Sequence, residues 1–217
     1  PAAATLHAFF VQATRPEHGL FTRVAPAGSG APPLGDRSAD GQPMLPDADA
    51  SYMRLERAGR LLGYALVSGA HVPLRMPAAL LAYLCRGDRV ADCPSLAIEL
   101  VASIDPAAAH ELRCALAKRH GVGAPPRGVI AAALAAARDA SDVADPSLMS
   151  DANKAELVLA TAQYLIVGCR RASLAALRAG VAAVVGADVL GALSPAQLGL
   201  RFLGLEQMSR PFGAAGP

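Results

Sequence analysis

Residues 151–208 read DANKAELVLATAQYLIVGCRRASLAALRAGVAAVVGADVLGALSPAQLGLRFLGLEQM, and this stretch decides the fold. It predicts two long helices followed by a third, short one. Asn153 is placed as an N-cap, with Glu156 three residues on to reach back to the cap backbone. Leu157, Ala160, Thr161, Tyr164 and Leu165 then recur at helical spacing, and Leu174, Leu177, Val181, Val184 and Val185 do the same on a second segment. Ser194, Pro195 and Gln197 supply a cap, a proline at the first helical position and a capping-box partner. Leu198, Phe202 and Leu203 give the third helix its apolar face, and Gly204 is the expected stop.

Composition points the same way. The 217 residues are 53% hydrophobic but only 4% aromatic, with no Trp, so the apolar weight rests on Ala, Leu and Val. That favours helices over sheets, and the expected class is mainly α with a few short β-strands, α+β at most. A net charge of +2 with dispersed Arg residues gives no footprint for nucleic acid. No apolar run reaches the length of a membrane span, since Arg178 and Asp188 interrupt the longest candidate, Leu174 to Leu193. Four Cys without a CxxC pair suit the reducing cytoplasm, or the nucleus. The chain opens on Pro1 rather than Met and carries no signal peptide, which reads as a piece of a longer protein.

Upstream, Thr5 to Gln12 is a short apolar helix, broken by Arg15 to Gly19, and Leu20 to Val24 alternates like a strand. Residues 25–48 are rich in Pro, Gly, Ser and Asp and are expected as a flexible loop too polar to bury. Tyr52 to Leu66 is strongly amphipathic. Leu55, Ala58, Gly59, Leu62, Ala65 and Leu66 line one face, and Arg54, Glu56, Arg57 and Arg60 the other. Gly59 and Gly63, four apart, read as a close helix crossing. The expected core buries Leu62, Leu66, Tyr164, Leu177 and Val181. After the extended link Val72-Pro73-Leu74, Pro77 opens a helix over Ala78 to Cys85 that Gly87 closes. Leu96 to Val101 is apolar enough for a helical turn. Asp105 and Pro106 form a cap and first position, Leu112 and Leu116 share the face that follows, and Gly121 is the expected end. An alanine-rich helix over Val129 to Arg138 and a polar linker over Ser141 to Asp151 complete the chain.

The ordered set of motifs resembles the N-lobe of HECT-type ubiquitin ligases. Its pieces are Asn153-Lys154-x-Glu156, Tyr164, Arg170-Arg171, Leu174-x-Ala176-Leu177-Arg178-Ala179-Gly180, Leu193-Ser194-Pro195-x-Gln197-Leu198 and a closing Gly204. A second match is Tyr52 followed by Gly59-Arg60-Leu61-Leu62-Gly63-x-Ala65-Leu66. Shorter matches fall at Pro16, Gly19, Leu20 and Phe21, at Leu80, Leu81 and Leu84, and at Ile104-Asp105-Pro106. The likeness spans Thr5 to Met208 and fails between Gly121 and Ser150, where the family has strands.

The resemblance implies a HECT N-lobe-like domain over residues 1–208, with residues 88–150 as a small, divergent subdomain that docks a ubiquitin-conjugating enzyme (E2). Leu112, Ala115 and Leu116 would line that docking groove, although Leu112 and Leu116 read equally well as core. Gln207, Met208, Ser209 and Arg210 would begin a hinge, and residues 209–217 would lead toward a C-lobe beyond the chain. The partners implied are the conjugating enzyme, ubiquitin and protein substrates, with no cofactor and no membrane. Ubiquitin would pass to a cysteine in the C-lobe and then to a substrate lysine.

No catalytic residue is expected within the chain itself. Cys85 and Cys114 lie inside helices, Cys93 precedes a proline in a loop, and Cys169 precedes two arginines but reads as a packing residue. His110 and Cys114, spaced i, i+4, form one edge of a metal-site pattern with no second pair, so no metal is expected. Gly28-x-Gly30 and Gly121-x-Gly123 do not join a strand to a helix, so phosphate binding is not expected. Two other classes stand beside the ligase reading: a non-catalytic helical interaction module derived from such a lobe, and an unrelated alanine-rich helical scaffold.

Overall fold

Three glycines set how the two longest helices meet. In the computed structural model, which describes residues 2–23, 43–118, 128–138 and 150–208, α2 (Tyr52–Ser68) crosses α8 (Arg171–Val185) along Gly59, Gly63 and Gly180. A Cβ on Gly59 would strike the Leu177 carbonyl oxygen, and one on Gly180 would strike the Glu56 carbonyl oxygen. At Gly63 it would lie 2.8 Å from Val184 Cβ. The backbones approach so closely that only hydrogen fits at these positions. The apolar faces then close around the crossing: Leu55, Ala58, Leu62, Ala65 and Leu66 from α2 meet Leu174, Leu177 and Val181 from α8, all buried.

This pair anchors the first of two units, Pro1–Arg23, Ser38–Gly87 and Arg170–Pro217. It also holds α1 (Ala2–Ala13), α3 (Ala78–Arg86), α9 (Ala187–Ala192) and α10 (Pro195–Met208). β1 (Phe21–Arg23) pairs antiparallel with β2 (Met44–Pro46), with Thr22 opposite Leu45. The strand β2 corrects the expected loop over residues 25–48. Met44, Leu45 and Pro46 are all buried, but three residues are too few to display alternation amid polar neighbours. The Met44 amide donates to the Arg75 carbonyl at 2.9 Å, fixing β2 to the link before α3.

Helix ends in this unit follow local chemistry. Gly87, at φ +66°, closes α3, and Arg178 Nε donates to the Leu84 carbonyl at 3.0 Å in that helix's last turn. A cation there satisfies an orphan acceptor and suits the negative end of the helix dipole. Ser194 and Gln197 form the reciprocal capping box at α10: the Gln197 amide donates to Ser194 Oγ (3.2 Å), and the Ser194 amide to Gln197 Oε1 (2.9 Å). Leu198 and Phe202 are wholly buried. The helix does not stop at Gly204, however, but continues to Met208. Between α8 and α10, Gly186 at φ +92° opens the additional short helix α9.

The second unit comprises residues 24–37 and Asp88–Cys169. Its described part contains α4 (Pro94–Ala102), α5 (Pro106–Ala117), α6 (Gly128–Arg138) and α7 (Lys154–Ile166). Within this unit α7 packs on α4, α5 and α6. Glu111 of α5 accepts from the Val129 amide at 2.9 Å and so caps α6 with a carboxylate. Gly128, at φ +59°, leaves room for that carboxylate.

Two expectations about α7 are corrected. Its buried face is Leu157, Val158, Thr161, Ala162 and Ile166, while Ala160, Tyr164 and Leu165 are only half-buried. The sequence is apolar around much of this helix, so periodicity could not select the face that α4, α5 and α6 cover. Asn153 occupies the cap position but makes no side-chain cap bond. Its Oδ1 accepts instead from the Ser150 amide (2.7 Å) and Ser150 Oγ (3.0 Å), which points it backwards along the chain. In addition, α5 ends at Ala117, with Lys118 already extended. Gly121, the phosphate-loop glycines, the linker over residues 141–149, and Ser209, Arg210 and the tail to 217 lie outside the described residues.

Gly180→Ala should destabilise the protein by more than about 2 kcal/mol, because a methyl group would meet backbone rather than a movable side chain. Denaturant unfolding measures this, and an unchanged midpoint would contradict the crossing geometry. Thr161→Val should be neutral or stabilising. The Thr161 hydroxyl is 1% exposed and has no hydrogen-bond partner among the described residues, so burying it costs free energy that valine avoids.

Candidate functional site

The hairpin of α4 and α5 is built from two proline-started helices. Cys93 is extended (φ −145°, ψ 154°) before Pro94, and Asp105 is extended before Pro106, as residues preceding proline prefer. Asp105 Oδ1 accepts from the Ala108 amide at 2.9 Å, which confirms the expected cap. The helical turn expected over Leu96 to Val101 is therefore a full helix of nine residues. Ala97, Ile98, Leu100 and Val101 from α4 and Ala108, Ala109 and Leu112 from α5 are buried, and α7 packs on both helices.

The exposed side of the hairpin carries a shallow groove of about 430 Å³ lined by Ser95, Leu96, Ile98, Glu99, Arg113, Leu116 and Ala117. Leu96 is 38% exposed and Leu116 is half-buried, so the groove offers apolar surface to solvent. Arg113 Nη2 donates to Glu99 Oε1 at 2.8 Å, an exposed ion pair that joins the two helices beside it. Such a pair contributes little stability, but it places both charges at the edge of the apolar surface. A hollow of similar size in the first unit is lined only by Ala48, Asp49, Ala50, Ser51, Tyr52 and Met53, a single consecutive run at the start of α2.

The expected site residues fare differently. Leu116 lines the groove. Ala115 is half-buried and is not among the groove's lining residues. Leu112 is wholly buried in the core and is not among the groove's lining residues. Sequence reasoning missed Leu96, Glu99 and Arg113. The start signal at Pro94 was present, but the Glu99–Arg113 contact joins residues fourteen apart on different helices. Gln207 and Met208 form the end of α10.

All four cysteines are thiols. Burial pushes the Cys85 thiol above its ordinary range, with Arg86 and Arg178 opposing part of that rise. It is 3% exposed and protonated, which makes it a packing residue rather than a nucleophile. Cys93, Cys114 and Cys169 are exposed. The packing role expected for Cys169 is thus corrected: it sits in the 3-10 turn Gly168–Arg170, with Sγ 3.9 Å from the Leu165 carbonyl. Cys114 Sγ lies 3.6 Å from His110 Nε2. Among the described residues no three His, Cys, Asp or Glu side chains come together in a metal-binding group. Nor is any helix of these residues long and apolar enough to cross a membrane.

No protein-family model matches the chain, and no curated protein matches it.

Leu112 and Leu116 should separate by stability. Leu112→Ala should cost about 2–5 kcal/mol and Leu116→Ala less than about 1 kcal/mol, since only the first empties a closed core position. Equal costs by chemical denaturation would contradict the assigned depths.

Proposed function

We propose that this chain is the N-lobe of a HECT-type ubiquitin ligase and that the α4–α5 groove docks a ubiquitin-loaded conjugating enzyme. Two supports bear on this reading. The first is the ordered series of motifs from Pro16 to Gly204 that resembles the family. The second, which carries the proposal, is Leu116 at solvent-accessible depth beside Leu96, in the helix where the resemblance places the docking leucines. A shallow apolar groove edged by an ion pair suits a transient protein contact, in which a loop residue of the partner fills the apolar surface. The lobe's contribution is positioning. It holds the thioester-linked ubiquitin where a cysteine of a C-lobe, outside this chain, attacks the thioester carbonyl and displaces the conjugating enzyme's thiolate. Cys93, Cys114 and Cys169 do not line the groove.

Calorimetric titration of conjugating enzymes into the chain should give affinity on the order of micromolar or poorer, as expected for a small transient surface. Leu96→Glu and Leu116→Glu should abolish it, whereas Met53→Glu, on the exposed side of α2, should leave it unchanged. With activating enzyme, conjugating enzyme, ubiquitin and ATP, the chain should acquire no reducible ubiquitin adduct. Absence of binding by every conjugating enzyme, or full binding by both folded groove variants, would favour the non-catalytic interaction module. A ubiquitin adduct lost on Cys169→Ser would make that cysteine a nucleophile.

A further inference from the structure

The α4–α5 groove has an uneven supply of hydrogen-bonding groups. Its charged lining consists of Glu99 and Arg113, one on each helix. Arg113 Nη2 donates to Glu99 Oε1 at 2.8 Å. The Arg113 side chain is 46% exposed and that of Glu99 68%, so the arginine is the more covered of the two. A guanidinium carries its N–H donors in a planar fork, and here the donors not used on Glu99 meet no acceptor among the described residues. The acids of the two helices and their turn are all committed: Asp105 accepts from the Ala108 amide, Glu111 from the Val129 amide and Glu99 from Arg113. Lys118, next after the lining residue Ala117, is exposed, and its ammonium has no partner among the described residues. Donors are therefore in surplus along this side of the hairpin, and the chemistry that complements them is an anionic acceptor.

We propose that Arg113 sets the specificity of the groove by selecting a partner loop that carries a carboxylate two residues from the apolar side chain it inserts. The inference rests on the docking reading above and adds to it the chemistry of the loop. Arg113 precedes Leu116 and Ala117 by three and four positions on α5, so its guanidinium and the apolar surface share a face about one helical turn, ~5.4 Å, apart. In an extended loop, residues i and i+2 point to the same side and are spaced about 6.4–6.8 Å. One such residue can fill the surface between Leu96 and Leu116 while the other meets Arg113.

The Glu99–Arg113 pair does not oppose this. Both side chains are exposed, so the pair contributes little and its rearrangement on docking costs little. Docking excludes water from the new contact, which strengthens a charge-assisted hydrogen bond between the guanidinium and the partner's carboxylate. Glu99 then acts as a competitor: it occupies one donor of Arg113 and repels the incoming carboxylate.

The test is calorimetric titration of conjugating enzymes into the intact chain and its Arg113→Gln, Glu99→Gln and Leu116→Glu variants. Circular dichroism should show Arg113→Gln and Glu99→Gln folded, as both side chains are at the surface. Arg113→Gln should weaken binding by about tenfold, whereas Glu99→Gln should strengthen it by about two- to fivefold, because the competing carboxylate is gone. A pair that merely braced the two helices would give losses of the same sign from either change. In the bound enzyme, charge reversal of the acidic residue two positions from the inserted apolar residue should weaken binding to the unaltered chain and restore binding to Arg113→Glu. Equal losses in Arg113→Gln and Glu99→Gln, unchanged affinity in Arg113→Gln while Leu116→Glu still abolishes binding, or tight binding of an enzyme with no carboxylate at that place would overturn the role of Arg113 and leave the docking groove standing. Absence of binding by every conjugating enzyme would overturn the docking reading and this inference with it.

Discussion

The first unit depends on the contact between α2 and α8, where two helix backbones meet through hydrogen atoms alone. Gly59 faces the Leu177 carbonyl and Gly180 faces the Glu56 carbonyl, so the contact is reciprocal. Glycine costs helix propensity at each site, roughly 1 kcal/mol relative to alanine. The return is dense packing of Leu55, Leu62, Leu174, Leu177 and Val181, each at most 1% exposed. Other elements are fixed from this pair: Ser173 Oγ donates to the Ala48 carbonyl (3.1 Å) just after β2, and Arg178 reaches the end of α3. One helix thus contributes the crossing, a tie to the sheet and a tie to the next helix.

What the sequence disclosed here was local. The α2 face, the close crossing at Gly59 and Gly63, the cap at Asp105 and the box at Ser194 and Gln197 each depend on residues within one or two turns. What it withheld was set by distant partners. Leu112 and Leu116 look equivalent in sequence, yet α4 and α7 packing on α5 leaves one wholly buried and the other at the surface. The α7 face was misjudged because apolar residues surround much of this helix, and which of them are covered is set by its neighbours. β2 was missed because three buried residues inside a polar stretch carry no period. Asn153 shows that a good capping residue can make a competing contact with its own upstream turn.

The candidate site follows the same division. Its helix starts were legible from Pro94 and from Asp105-Pro106, but its surface was not, because Leu96, Glu99, Arg113 and Leu116 come together only when α4 and α5 pair. A resemblance between motifs can indicate which helix to inspect, while the depth of each side chain decides what that helix can offer. Here Leu112 belongs to the core and Leu116 to the groove lining.

The central claim is that the α4–α5 groove receives a ubiquitin-conjugating enzyme. The most direct measurement is an amide chemical-shift map of the isotope-labelled chain during titration with the unlabelled enzyme. The account predicts shifts concentrated at Ser95–Glu99 and Arg113–Ala117, with the exposed side of α2 around Met53, Tyr64 and Val67 unmoved. No shifts at saturating enzyme, or shifts confined to residues away from the groove, would contradict it.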